Sequence, residues 1–206
     1  MTAKVVDLIR LARDGSGDCL GELLDRYRNY LKLLASSRIP HWVKGRAGSS
    51  DVVQEVCVQA HQSFGQFRGS SEGEFLAWLR TVLATRLNRL LEQHVGAEKR
   101  DVRRERSLHE LANSLGRSSV RLEELLIDRA PSPSSAMQRS ELLVATSNLM
   151  AELPDDYRQV LLLRHIDGLS FTEIGDLMER KPSATRMLWF RAIDRLRELL
   201  SQSGLI

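Results

Sequence analysis

Arg186, Met187, Phe190 and Arg191 are spaced one, three and four residues apart, which puts all four on one face of a helix. An exposed basic helix face of this kind is the right shape for a major groove. Catalysis finds no comparable set. The five histidines, His41, His61, His94, His109 and His165, are scattered, and His109-Glu110 lacks the second histidine of a zinc-protease helix. Glycine-rich phosphate loops are absent, so the reading is of a non-enzyme that needs no metal or cofactor.

Two short helices must hold that face in place. Pro154 suits a first helical position, Gly168 supplies a stop, and Ser170 with Glu173 has capping-box spacing for the next start. Val160, Leu161, Leu163, Ile166, Leu169, Ile174, Leu177 and Met178 then form inward stripes. Pro182 opens the long last helix, whose Leu188, Ala192, Leu196 and Leu199 face inward and leave the basic face outside. Two helices, a tight turn and a basic helix make a helix-turn-helix, a shape that enters a major groove.

Leu, Ala, Arg and Glu dominate long stretches of the 206 residues, and few runs alternate in period two, so the chain reads as all-α. The formal charge is only +3, but the basic groups cluster: Arg80, Arg86 and Arg89 precede Lys99, Arg100, Arg103, Arg104 and Arg106, and a second group runs from Arg180 to Arg197. Clusters of this kind favour a polyanionic partner. Cys19 and Cys57 lack metal or redox spacing and read as reduced, partly buried thiols. The N-terminal MTAKVVDLIRLARDG has no secretion-signal core, and no apolar run reaches membrane-spanning length, so a cytoplasmic protein without membrane insertion is expected.

Along the chain, Val5, Leu8, Ile9 and Ala12 form a first stripe that stops at Asp14-Gly15-Ser16-Gly17. Leu20, Leu23, Leu24, Tyr27, Leu31 and Leu34 read as one second helix, ending before Ile39-Pro40. After a polar loop, Gly45 to Ser50, a third helix capped by Ser50 or Asp51 carries Val52, Val53, Val56, Ala60 and Phe64. A fourth opens at Phe75-Leu76-Ala77-Trp78-Leu79, in which Trp78 belongs to the inward face. These four helices make a domain over 1–106. Residues 107–136, with Val120 to Ile127 as one short amphipathic piece and a Ser/Pro run at 130–135, read as a flexible linker. A second domain over 137–206 begins with a helix through Leu142, Leu143, Leu149 and Met150.

This layout resembles the bacterial RNA polymerase sigma factors of the sigma-70 family, extracytoplasmic-function class, over nearly the whole chain. Three motifs carry the resemblance, in order: Asp51-Val52-Val53-Gln54-Glu55-Val56 with Phe64, Phe75-Leu76-Ala77-Trp78-Leu79-Arg80, and Leu153 to Leu200. The run from Glu98 to Arg106 looks like that of planctomycete-type members. The resemblance implies a sigma region 2 domain that binds core polymerase and the minus-ten element, and a region 4 domain that binds the minus-thirty-five element. It assigns Asp51, Gln54 and Glu55 to the clamp helices of the polymerase's largest subunit; helix capping is an alternative or additional use of the same residues. It assigns Arg80, Arg86, Asn88 and Arg89 to the minus-ten strand, and Lys181, Ser183, Arg186, Met187, Phe190 and Arg191 to minus-thirty-five DNA.

The partners so implied are core RNA polymerase, including the flap of the second-largest subunit, promoter DNA, and an anti-sigma factor of the kind that often accompanies the class; the free factor is expected to be a monomer. An ordinary helix-turn-helix regulator, dimeric or ligand-sensing, is the alternative, and binds operator DNA without polymerase. This chain departs from the family pattern at Glu179, where relatives place glycine, at Thr185 in place of a small aliphatic residue, and at Met187 in place of a polar or basic one. Thr81 and Thr85 stand where many relatives carry Arg and Asn. These departures imply an unusual promoter preference and fewer minus-ten contacts.

Overall fold

The computed structural model describes residues 4–39, 48–94, 110–121 and 136–205, and among them all regular structure is helical. The chain divides into two compact units, Met1–Arg117 and Ser118–Ile206. The first contains α1 (Val5–Arg13), α2 (Gly17–Arg26), α3 (Arg28–Ser36), α4 (Ser49–Ser63) with a 3-10 turn (Phe64–Gln66), and α5 (Glu72–His94). A further helix, α6, spans 110–121. The second unit holds α7 (Ala136–Glu152), α8 (Asp155–Leu161) running into a π turn (Leu162–Ile166), α9 (Phe171–Leu177) and α10 (Pro182–Gln202).

In the first unit α1 packs on α2, and α3 and α5 flank α4. The expected stripe of α1 is buried, and Gly15 turns the chain at φ +100° before the Ser16 hydroxyl caps α2. The stripe from Leu20 to Leu34 belongs to two helices, because the backbone breaks at Tyr27 (φ −98°, ψ 3°). Tyr27 is fully buried; its ring packs on Phe75 at 5.8 Å and its hydroxyl donates to the Glu72 carboxylate. The break lets one side chain seal the core and satisfy its polar tip, which is why an unbroken apolar period did not give one helix. Phe64, Phe67, Phe75 and Trp78 complete an aromatic cluster with centroids 5.3–6.5 Å apart, the range in which tilted and edge-on pairs are favourable. Trp78 thus belongs to the packed side, as its spacing predicts. A Cβ on Gly69 would lie 2.5 Å from the Phe67 ring, so only glycine fits beside this cluster.

Ser71 and Glu74 start α5. The Glu74 carboxylate accepts from the Ser71 hydroxyl at 2.7 Å and from the backbone N–H groups of Ser70 and Ser71, and the Ser71 hydroxyl accepts from Glu74 N–H. Hydrogen bonds to the charged form, the Ser71 hydroxyl first, hold this carboxyl at a pKa of about 2. Because that is below its unfolded value, the stabilisation is present above the ordinary carboxylate range and lost as pH falls toward about 2. A side-chain NMR titration should therefore place the Glu74 midpoint near 2; a midpoint at the ordinary 4.5 would mean the cap does not hold in solution.

Within the stretch read as linker, 110–121 is helical: Leu115, Ser118 and Ser119 are buried at helical spacing, and Arg121 donates to the Ile166 carbonyl at 2.8 Å. Residues 122–127 of the expected amphipathic piece, the Ser/Pro run, the loop from 40 to 47 and the basic run from Glu98 to Arg106 lie outside the described residues. In the second unit α7, α8 and α9 pack against α10, which buries Leu188, Ala192, Ile193, Leu196, Leu199 and Leu200. Among the described residues no helix is long and apolar enough to cross a membrane. Cys19 and Cys57 are free and half-buried, and burial pushes the Cys57 thiol pKa up.

Candidate nucleic-acid interface

In the second unit local signals set several of the helix ends. Ser170 accepts from Glu173 N–H while the Glu173 carboxylate accepts from Ser170 N–H at 2.8 Å, the capping box read from the sequence, and the same bonds lower the Glu173 pKa. Gly168 adopts φ +74° at the stop. Pro154 occupies the position before α8, whose first turn is Asp155-Asp156, so it precedes the helix and does not open it. Pro182 does open α10, directly after Lys181. The turn between α9 and α10 is closed by Arg180 N–H on the Gly175 carbonyl at 2.8 Å, with Glu179 left-handed at φ +53°. That is a Schellman cap, built here with a residue that costs roughly 1–2 kcal/mol in this conformation.

This scaffold leaves Lys181, Ser183, Arg186, Met187, Phe190 and Arg191 exposed on α10. Met187 is 53% and Phe190 48% exposed, two large apolar side chains that the unit's own core does not claim. Arg158, Arg180, Arg195 and Arg197 are ion-paired with Asp155, Asp156, Glu198 and Asp194, but Arg186 and Arg191 have no carboxylate partner among the described residues. The face therefore offers two uncompensated guanidiniums around an apolar centre. Leu177, expected inward, is 46% exposed, because α9 ends at that residue and only Ile174 and Gly175 of this helix are buried.

In the first unit, Gly48 precedes α4, and the Asp51 carboxylate accepts its N–H at 3.1 Å; the start thus lies earlier than a cap at Ser50 or Asp51 would place it. Asp51, Gln54 and Glu55 are exposed on α4, and with Arg86 and Arg89 of α5 they line one groove of about 620 Å³. Glu55 and Arg86 form an ion pair across it, Arg86 being only 18% exposed. Arg80 and Asn88 do not join this groove. The Arg80 guanidinium donates to the Tyr30 hydroxyl at 3.1 Å, and Asn88 is buried with its amide on the Glu92 carboxylate at 2.9 Å. Thr81 and Thr85 donate their hydroxyls to carbonyls of their own helix.

Residues 143–196, which hold α8, α9, the turn after it and most of α10, match the family model described as sigma-70, region 4. Over 195 residues the chain is 29% identical to the ECF RNA polymerase sigma-E factor of Escherichia coli (strain K12), covering 93% of each chain, and equally so to that of Salmonella typhimurium (strain LT2). It is 28% identical over 163 residues to the RNA polymerase sigma-H factor of Pseudomonas aeruginosa, covering 79% of this chain and 78% of that one. Over most of its length the chain is thus similar to extracytoplasmic-function sigma factors, and its residues 143–196 match region 4 of the sigma-70 family.

In the part that matches sigma-70 region 4, the departures from the family pattern take physical form. Glu179 takes up the left-handed turn where a glycine would be free of strain. Thr185 is fully buried, and its hydroxyl is satisfied by the Lys181 carbonyl at 3.1 Å. Sequence reasoning passed over the group behind the α10 face. The Phe171 ring has Arg164 at 4.8 Å and Arg186 at 5.4 Å, and meets Trp189 at 5.8 Å. Trp189 in turn donates its indole N–H to His165 Nε2 at 3.0 Å and packs on Phe190 at 5.0 Å. Phe171 falls outside the inward stripe of α9, so helical period gave no sign of it; the available signal was an aromatic residue directly after a capping serine.

Proposed function

We propose that this chain is a sigma factor: a subunit without chemistry of its own that docks on core RNA polymerase, directs it to specific promoters and assists their opening in the cytoplasm. The observation that carries the reading is the α10 face, where exposed Met187 and Phe190 sit between Arg186 and Arg191 on a helix-turn-helix. An apolar centre flanked by guanidiniums that have no carboxylate partner among the described residues suits a major groove, where methyl groups and guanine acceptors lie beside phosphates. The match of residues 143–196 to sigma-70 region 4 and the names of the similar proteins support it.

On the same reading, 1–106 is the polymerase- and minus-ten-binding domain, 107–136 joins it to 137–206, and the latter binds the minus-thirty-five element. Asp51, Gln54 and Glu55 present a polar, acidic face to the clamp helices of the largest subunit, and the second domain meets the flap of the second-largest. Arg86 and Arg89 serve the minus-ten strand from the groove beside α4, with Arg80 and Asn88 shaping the helix that carries them. Lys181 and Ser183 take backbone phosphates at the start of α10, while Arg186 and Phe190 read bases and Arg191 holds a phosphate. An anti-sigma factor that covers one of these faces, and a monomeric free state, complete the proposal.

The test is direct. The double variant Asp51→Ala, Gln54→Ala should bind purified core polymerase about tenfold more weakly or worse, since two exposed polar contacts are removed with no loss of core packing. The melting of the second unit should be unchanged, and that of the first should fall by no more than the loss of one helix cap, about 1 kcal/mol. Undiminished polymerase binding overturns the docking assignment.

A further inference from the structure

We infer that Phe171 is a specificity-determining positioning residue: its ring holds the Arg186 guanidinium in the orientation that reads the minus-thirty-five element, with Arg164 as the fixed neighbour on the same ring. The inference rests on the reading of α10 as the DNA-reading helix.

Arg186 is exposed and lacks a carboxylate partner among the described residues, a setting in which a long side chain samples many rotamers and loses that freedom on binding. Its guanidinium lies over the Phe171 ring, 5.4 Å from the centroid. A salt bridge would consume N–H donors that a base or phosphate needs, whereas a ring contact takes none of the five and leaves them for a bidentate contact. The ring therefore orders the guanidinium while keeping it competent to bind.

The anchor is itself fixed on three sides. The Ser170–Glu173 capping box sets the first turn of α9, which Phe171 opens. Trp189 meets the ring at 66° and is tied by its indole N–H to His165. Arg164, 4.8 Å from the ring, is held by donation to the Leu169 carbonyl at 2.8 Å and is likewise without a carboxylate partner among the described residues. Arg164 thus occupies part of the ring with a second positive charge and disfavours collapse of Arg186 toward the π turn.

The experiment measures initiation by the full chain with core polymerase on promoters carrying each of the four bases at every minus-thirty-five position, for wild type, Phe171→Leu, Phe171→Tyr, Arg186→Ala and the double variant Phe171→Leu, Arg186→Ala. Phe171→Leu should lower base preference about two- to fivefold at the position whose preference Arg186→Ala abolishes, and leave other positions unchanged. Phe171→Tyr, which keeps an aromatic face, should retain the preference, and the double variant should show no loss beyond Arg186→Ala. Thermal melting of each variant separates this from unfolding. The inference is overturned by a uniform drop at all promoters, by an unchanged profile in Phe171→Leu, by loss of the preference in Phe171→Tyr, or by an Arg186→Ala profile that matches wild type. A wild-type chain that initiates at no promoter with core polymerase overturns the functional reading itself.

Discussion

Phe75→Ala is expected to remove about 3–5 kcal/mol from the stability of the first unit, the cost typical of truncating a fully buried phenylalanine. Phe75 is wholly buried and lies within 5.7–6.5 Å, centroid to centroid, of Tyr27, Phe64, Phe67 and Trp78. Its neighbours cannot easily collapse into the space, because Gly69 already brings the backbone against Phe67 and because the Tyr27 hydroxyl is tied to Glu72. The melting midpoint of the first unit should fall by roughly 10–20 °C, while that of the second should hold. Polymerase binding should be lost with the fold of the first unit, since α4 and α5 carry the proposed docking groove. A fall of only a degree or two would show that the aromatic cluster is loosely packed in solution.

Gly175→Ala should cost about 3 kcal/mol and destroy the geometry of the helix-turn-helix. An added Cβ would lie 2.6 Å from the Arg180 carbonyl oxygen, 3.4 Å from Thr185 Oγ1 and 3.5 Å from Pro182 N. Two of these neighbours are backbone atoms of the turn, so relief requires α10 to move away from α9. That movement displaces Arg186 from Phe171 and changes the angle at which the basic face would meet a groove. Promoter-specific initiation should fall at least as far as the stability loss implies, while the first unit and its polymerase binding stay intact. Full activity with an unchanged melting profile would contradict the close approach of the two helices.

Local signals were the legible part of the sequence. Ser170 with Glu173, Gly168 and Pro182 each act through bonds or torsions within a few residues, and each stands where its spacing places it. The stripe Leu188, Ala192, Leu196 and Leu199 was legible for the same reason, because a single helix has one period. What the sequence hid was tertiary. Tyr27 breaks a regular apolar pattern because its hydroxyl finds Glu72, 45 residues away. Pro154 and Leu177 sit at ends whose exact residue depends on packing, whereas the start of α4 after Gly48 is a local bond, with Asp51 reaching back three residues.

The candidate site divides in the same way. Exposure of Arg186, Met187, Phe190 and Arg191 follows from helical phase alone, whereas the bonding of Arg80 to Tyr30, the burial of Asn88 and the pairing of Arg86 with Glu55 depend on neighbouring helices. Periodicity says which side of α5 a residue lies on, but not which partner waits there. The ring shared by Arg164 and Arg186 joins three segments, and no spacing rule within one helix predicts it.

In vitro transcription with purified core polymerase, with start sites mapped in the presence and absence of this chain, tests the central claim most directly. The account predicts discrete start sites that depend on the chain and on Arg186. It is contradicted if the same positions are used without the chain, or if the chain binds its DNA tightly and specifically with no polymerase present and never associates with the enzyme.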